Sequence, residues 1–133
     1  MQVVTIFIQN NQKKLLIQKR SKSKGGKYGI TSGHVQKKEE FIQGAIREIK
    51  EELGLKIEEN ELKLFYTKKD NKDEYHLYLL KKDFNIQDLL LQKEEVESVK
   101  WCTINEIETL IANGDFYDTQ IEAYQIAKNK LEV

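Results

Sequence analysis

The sequence predicts an α/β sandwich, and three observations carry that expectation. Runs rich in Val, Ile and Leu, of strand length, open the chain and return in its middle and late sections. One long amphipathic helix interrupts them before the midpoint, and two shorter helices close the chain. Strands interleaved with helices in this way bury their apolar faces as helices layered on a sheet.

The elements follow in order. Residues 3–9 and 14–18 are apolar strands, and the polar Asn10, Asn11, Gln12 and Lys13 between them form a turn. A basic, glycine-containing loop occupies 19–27, and residues 28–31 make a short strand leading to Gly33. The strongest helix covers about residues 39–53, where Ile42, Ala45, Ile46, Ile49 and Leu53 recur at three- and four-residue steps and build one apolar stripe. Gly54 suits the left-handed residue at which a helix ends. Residues 62–67 and 74–80 pair as strands about a polar turn at 68–73, and 99–103 is a further strand. Thr103 and Glu106 have capping-box spacing, which starts a helix at 104 that runs to 113 and stops at Gly114. A last amphipathic helix spans roughly 119–131.

Composition narrows the function. At 133 residues the chain has the size of one domain, expected over 1–133. Its 22 basic and 22 acidic residues balance, so there is no strong nucleic-acid signal and anion recognition must be local. No apolar run approaches the roughly 20 residues that span a bilayer. The N-terminus lacks a basic start and a small-residue cleavage site and reads as a strand. Cys102 is the only cysteine, so an internal disulfide or a cysteine-rich zinc site is excluded, and a reduced, cytoplasmic protein is expected.

The long helix has a second face. Glu48, Glu51 and Glu52 stand at i, i+3 and i+4, so three like charges share one patch. Arg47 reaches Glu51 at i+4, and the remaining charge suits a hard divalent cation that prefers oxygen ligands. By itself this segment favours the reading of a solvated acidic face. The wider pattern decides. Gly33 is followed by five residues and Glu39, then by seven residues and Arg47-Glu48-Ile49-Lys50-Glu51-Glu52-Leu53-Gly54-Leu55. With 16 Glu, 7 Gly and 2 Arg in the chain, an accidental match at all nine specified positions has a probability on the order of 10⁻⁷.

This pattern is the Nudix box, and the sequence resembles the Nudix hydrolase superfamily. The resemblance implies an α/β/α sandwich with a mixed central sheet and a magnesium-dependent enzyme, manganese being a substitute. It implies that Glu48 and Glu52 are the principal metal ligands, with Glu51 assisting and the Gly33 carbonyl facing the metal. Arg47 would orient the glutamates, its planar fork gripping a carboxylate as lysine cannot, and Glu39 would support them. The implied chemistry is attack of water, acidified by the metal, on phosphorus in a nucleoside diphosphate joined to another group. The partner is therefore a small-molecule diphosphate, and family members often pair, which leaves both a monomer and a homodimer open.

Outside the box, Leu15 to Ser21, Lys24, Tyr28, Ser32 to Val35, Glu94 to Val96, Val99 to Trp101 and Gly114 to Phe116 resemble the branch related to isopentenyl-diphosphate isomerase. The isomerases use a cysteine directly before the Gly-His of the box loop, where this chain has Ser32, whose hydroxyl is far too weak an acid for that role. They also draw metal-binding histidines from the early strands, whereas this chain has only His34 and His76. His34 and Glu74 coincide with isomerase ligand positions and are candidate substrate contacts, with Arg20 the first candidate of the basic loop to hold a diphosphate. A non-catalytic nucleotide-sensing module on the same fold would be expected to lose box glutamates, and none is lost. Tyr66, Tyr75, Tyr78 and Trp101 are either core residues or platforms for a base. In Nudix hydrolases a catalytic carboxylate often lies several positions before a tryptophan like Trp101. Glu95 fits that role best, with Glu94 and Glu97 as alternatives.

Overall fold

The computed structural model describes residues 1–132. The strands are β1 (Gln2–Gln9), β2 (Leu15–Arg20), β3 (Tyr28–Gly29), β4 (Thr31–His34), β5 (Leu62–Asp70), β6 (Asp73–Lys81) and β7 (Val96–Cys102), and the helices are α1 (Phe41–Leu53), α2 (Ile104–Ala112) and α3 (Ile121–Lys130). The strands form one mixed sheet with β1 at its centre. β1 runs parallel to β6, from Gln2 opposite Glu74 to Gln9 opposite Lys81. On its other side β1 is antiparallel to β4, with Val4 opposite Gly33, and its end meets β2. β2 pairs with β3 and β7, and β5 pairs with β6. A parallel pair needs a crossover, and the chain between β1 and β6 carries α1 across one face.

The pleat sorts the core into two layers. Val4, Ile6 and Ile8 of β1 point to one face, where they meet Ala45, Ile49 and Leu53 of α1. Phe7 points to the other face, towards Ile107 of α2 and Tyr124 and Ala127 of α3. One helix on one face and two on the other make the α/β/α sandwich. Within the stripe expected for α1, Ala45, Ile49 and Leu53 are fully buried while Ile42 and Ile46 pack at its margin. Among the described residues no helix is long and apolar enough to cross a membrane.

Element boundaries differ from the sequence reading in physically informative ways. The polar segment expected as a turn at 68–73 is mostly strand, and only Asn71 and Lys72 turn, with Asn71 at φ 54°. Polar residues are compatible with a strand whose outer side is solvated, and asparagine tolerates the left-handed region. The short strand expected at 28–31 is two strands that reach His34. β7 begins at Val96 rather than 99, because Val96 is buried and pairs with Arg20 after an irregularity in register. α1 begins at Phe41, with the Glu40 N–H donating to Gln43 Oε1 at 3.1 Å, which leaves Glu39 outside the helix. The capping box of Thr103 and Glu106 is formed as expected.

Candidate active site

Gly33 lies on β4 directly beneath the Glu48 carboxylate. A Cβ at residue 33 would stand 2.2 Å from Glu48 Cδ, so only glycine permits this approach. The i, i+4 spacing then brings Glu52 alongside Glu48 on the same flank of α1. Glu52 is 6% exposed, and its Oε1 accepts from Gln18 Nε2 at 3.2 Å. Burial, reinforced by the neighbouring Glu48 carboxylate, pushes the Glu52 carboxyl up to about 8, against the opposing influence of Gln18 and Arg20.

Arg47 organises the rest of the acidic face. Its Nε and Nη2 donate to the two oxygens of Glu39 at 2.8 and 3.1 Å. Its Nη1 donates to Glu48 at 2.9 Å and Glu51 at 3.0 Å, and its Nη2 also reaches the His34 carbonyl at 2.9 Å. The bond to Glu39 is the largest reason that the Arg47 guanidinium is held above its ordinary value, and the same bond holds the Glu39 carboxyl below its own. Glu51 is half-exposed at the rim of this face.

A second set of groups faces this one. Arg20, at the end of β2, donates from Nη2 to Glu95 Oε2 at 3.0 Å and from Nε to the Glu95 carbonyl at 3.2 Å. Lys24 Nζ lies 3.5 Å from Glu95 Oε1. The two sets line one cavity of about 610 Å³, which brings together Arg20, Gly33, His34, Arg47, Glu48, Glu51, Glu52 and Glu95. Glu94 and Glu97 are not in its lining, and Glu97 instead faces Lys19 at 3.4 Å. Of the lysines of the basic loop, Lys24 alone lines the cavity. Glu74 is not brought there: its carboxylate meets His76 Nε2 at 2.9 Å, and the His76 ring stacks on Phe41 with centroids 3.6 Å apart.

The donor set fits a divalent cation. Among the described residues no three His, Cys, Asp or Glu side chains form a ready-made metal cage. Magnesium does not require one, because it is commonly held by one or two carboxylates and shares its shell with water and substrate phosphates. Glu48 and Glu52 are two such carboxylates, with one deeply buried, and a cation held by both would offset the cost of burying Glu52 beside the Glu48 carboxylate.

A neighbouring cavity of about 430 Å³ opens on the α3 side of the sheet and shares Val3, Ser32 and His34 with the first. Tyr66, Tyr75, Leu77 and Ile126 give it apolar walls, and Lys68, Asp70 and Glu122 are polar members of its lining. The structure thereby divides the four aromatic candidates: Tyr66 and Tyr75 face this cavity, whereas Tyr78 and Trp101 belong to the core beneath α1.

Two further residues at the site, Gln18 and Gln120, were not singled out from the sequence as site residues. Gln18 bridges Glu52 and Thr31, donating to Thr31 Oγ1 at 2.9 Å. Strand periodicity carries its signal: Leu16, Gln18 and Arg20 share one face of β2, and a polar residue following Leu16 inward needs a partner. Gln120 carries no comparable signal, since it is placed by contacts distant in sequence.

A family model described as NUDIX domain matches residues 1–123. An uncharacterized Nudix hydrolase of Listeria monocytogenes is 38% identical over 120 residues, covering 86% of this chain and 70% of that protein. A second, from Listeria innocua, is 39% identical over the same coverage. Among solved structures, a Deinococcus radiodurans protein superposes with a TM-score of 0.80 at 21% identity, covering 98% of this chain and 83% of that one. The NUDIX domain of Shewanella oneidensis NrtR, complexed with ADP ribose, superposes with a TM-score of 0.64 at 15% identity, covering 82% and 76%. At these identities the solved structures establish the fold alone.

Proposed function

The chain belongs to the Nudix hydrolase family, and on that premise we propose that it hydrolyses the phosphoanhydride of a nucleoside diphosphate joined to a second group, using magnesium or, in its place, manganese. The observation that carries this reading is one cavity with a carboxylate pair, half-buried Glu48 and buried Glu52, on one side and two cations, Arg20 and Lys24, on the other. A diphosphate bridged to a metal is the ligand that such opposed charges complement.

Glu48 and Glu52 would hold the cation together with the Gly33 carbonyl, Glu51 would assist, and Arg47, itself gripped by Glu39, fixes Glu48 and Glu51. The bound cation supplies positive charge that offsets charge developing on the phosphoryl oxygens and makes water more acidic. Arg20 and Lys24 take the substrate's diphosphate, and that exchange releases the Glu95 carboxylate that they hold. Glu95 then accepts the proton of the attacking water as general base, and His34 borders the same path. The adjoining cavity takes the base, with Tyr66 and Tyr75 supplying flat apolar surface. The Shewanella domain solved with ADP ribose holds a compound of this class.

A turnover screen in magnesium tests the reading. It spans nucleoside triphosphates, oxidised nucleotides, nucleotide sugars, dinucleoside polyphosphates and prenyl diphosphates. The expected result is metal-dependent cleavage of a nucleotide diphosphate. Tight nucleotide binding without turnover of any member would establish a sensor instead, and cleavage confined to prenyl diphosphates would remove the nucleoside from the proposal.

A further inference from the structure

The Gln120 side chain is spent on the strand junction that enters the site. Its Oε1 accepts from the Ile30 backbone N–H at 2.8 Å, and its Nε2 donates to the Ile30 carbonyl at 3.0 Å and to Ser32 Oγ at 2.9 Å. The Ile30 N–H can only donate and the Ile30 carbonyl can only accept, so the backbone fixes which end of the amide is which. Gly29 makes the room, since a Cβ there would stand 2.3 Å from Gln120 Oε1.

This fixes the role of Ser32. Its oxygen receives a proton from Gln120, so its own proton must be directed elsewhere. No other hydrogen-bond partner of Ser32 Oγ is found among the described residues. Ser32 borders both the acidic cavity and the cavity beside α3, at the place where the two meet. Alternation along β4 explains the position: Thr31, bonded to Gln18, and Gly33, beneath Glu48, face α1, so Ser32 between them faces α3.

We propose that Ser32 is a substrate-binding residue whose hydroxyl donates to a nucleotide oxygen where the diphosphate passes into the nucleoside, and that Gln120 is the positioning residue that aims it. The identity of the ligand rests on the hydrolase reading above, whereas the direction of the hydroxyl rests on the Gln120 bonds alone. A residue at this point contributes to binding in ground and transition states alike, so its loss acts on affinity.

The test is calorimetric binding of ADP in calcium by wild type, Ser32→Ala, Ser32→Thr, Gln120→Glu and the double variant Ser32→Ala/Gln120→Glu. Ser32→Ala should weaken binding roughly 10-fold, the cost of one donor to a charged oxygen. Ser32→Thr, which keeps a hydroxyl, should retain most of the affinity. At neutral pH the new carboxylate of Gln120→Glu has no proton to give, so the Ser32 hydroxyl would turn onto it and away from the ligand. That variant should match Ser32→Ala, and the double variant should bind no more weakly than Gln120→Glu alone. In magnesium turnover, Ser32→Ala should raise KM by the same factor with kcat within about threefold of wild type. Unchanged ADP affinity in Ser32→Ala, multiplying effects in the double variant, or failure of wild type to bind ADP would each overturn the proposal. Should Gln120→Glu not fold, the alanine and threonine variants of Ser32 decide it. A wild type that binds ADP but cleaves no diphosphate would remove the hydrolase reading and leave this inference standing.

Discussion

Arg47 grips both oxygens of Glu39, from Nε at 2.8 Å and from Nη2 at 3.1 Å, although Glu39 lies before helix α1 and Arg47 within it. The pair ties the loop that follows Gly33 to the helix that carries Glu48, and the same guanidinium reaches the His34 carbonyl. One planar cation thus sets the distance between the glycine and the carboxylates.

Arg47→Lys keeps the charge and loses the fork. Groups that orient metal ligands typically contribute roughly 10- to 100-fold to affinity or activity. Arg47→Lys and Glu39→Gln should each lower kcat/KM within that range and raise the magnesium concentration needed for half-maximal rate. A lysine variant with wild-type metal dependence would show that charge alone suffices.

Glu48→Gln and Glu52→Gln should each lower kcat by at least ~100-fold while the fold persists, as judged by circular dichroism. Near-full magnesium-dependent turnover in both variants would remove these residues from the metal site.

The buried Glu52 also gives a pH dependence to stability in the absence of metal. Burial pushes its folded-state carboxyl up to about 8 from its ordinary value of 4.5. The folded protein therefore binds this proton more tightly than the unfolded chain, and stability falls as pH rises through the window between those two values. Glu52→Gln removes that dependence. In chelator, its melting temperature should exceed that of wild type at pH 8 and approach it near pH 4. Equal pH slopes for the two proteins would contradict the buried, opposed placement of this carboxylate.

Glu95 is clasped by Arg20 and Lys24 within the cavity, whereas Glu94 and Glu97 are not in its lining. Glu95→Gln should lower kcat by ~10- to 1000-fold with little change in substrate affinity, and flatten the acid limb of the pH–rate profile. Glu94→Gln and Glu97→Gln should behave like wild type. If either of those collapses instead, the base has been misassigned; if none of the three matters, it lies within the box.

Tyr66 and Tyr75 line the cavity beside α3, apart from the box carboxylates, so their variants test nucleotide recognition separately from cleavage. Stacking on an aromatic ring is worth roughly 5- to 100-fold in affinity per base. Alanine at either position should raise KM for a nucleotide substrate by such a factor and leave kcat near that of wild type. A loss confined to kcat would place these rings outside the base-binding surface.

The sequence by itself determined the half of the cavity that carries the carboxylates. The glycine, the four glutamates and the arginine of the box lie within one loop and one helix, where i, i+3 and i+4 spacing dictates which side chains share a face. The apolar stripe of α1 and the Thr103–Glu106 cap were legible for the same local reason. Tertiary structure decided the opposing half. Arg20 and Glu95 meet only because β2 pairs with β7, with a register shift between Lys19 and Arg20. Glu74 has the composition of a site residue, yet on β6 its carboxylate is engaged by His76. Ser32 and Gln120 are far apart in the chain and meet where α3 is laid against β4. Pairing register and pleat direction set these contacts, and a shift of one residue would send every such side chain to the other face. No local pattern encodes that choice, because it is fixed by the burial of the whole sheet between its helices.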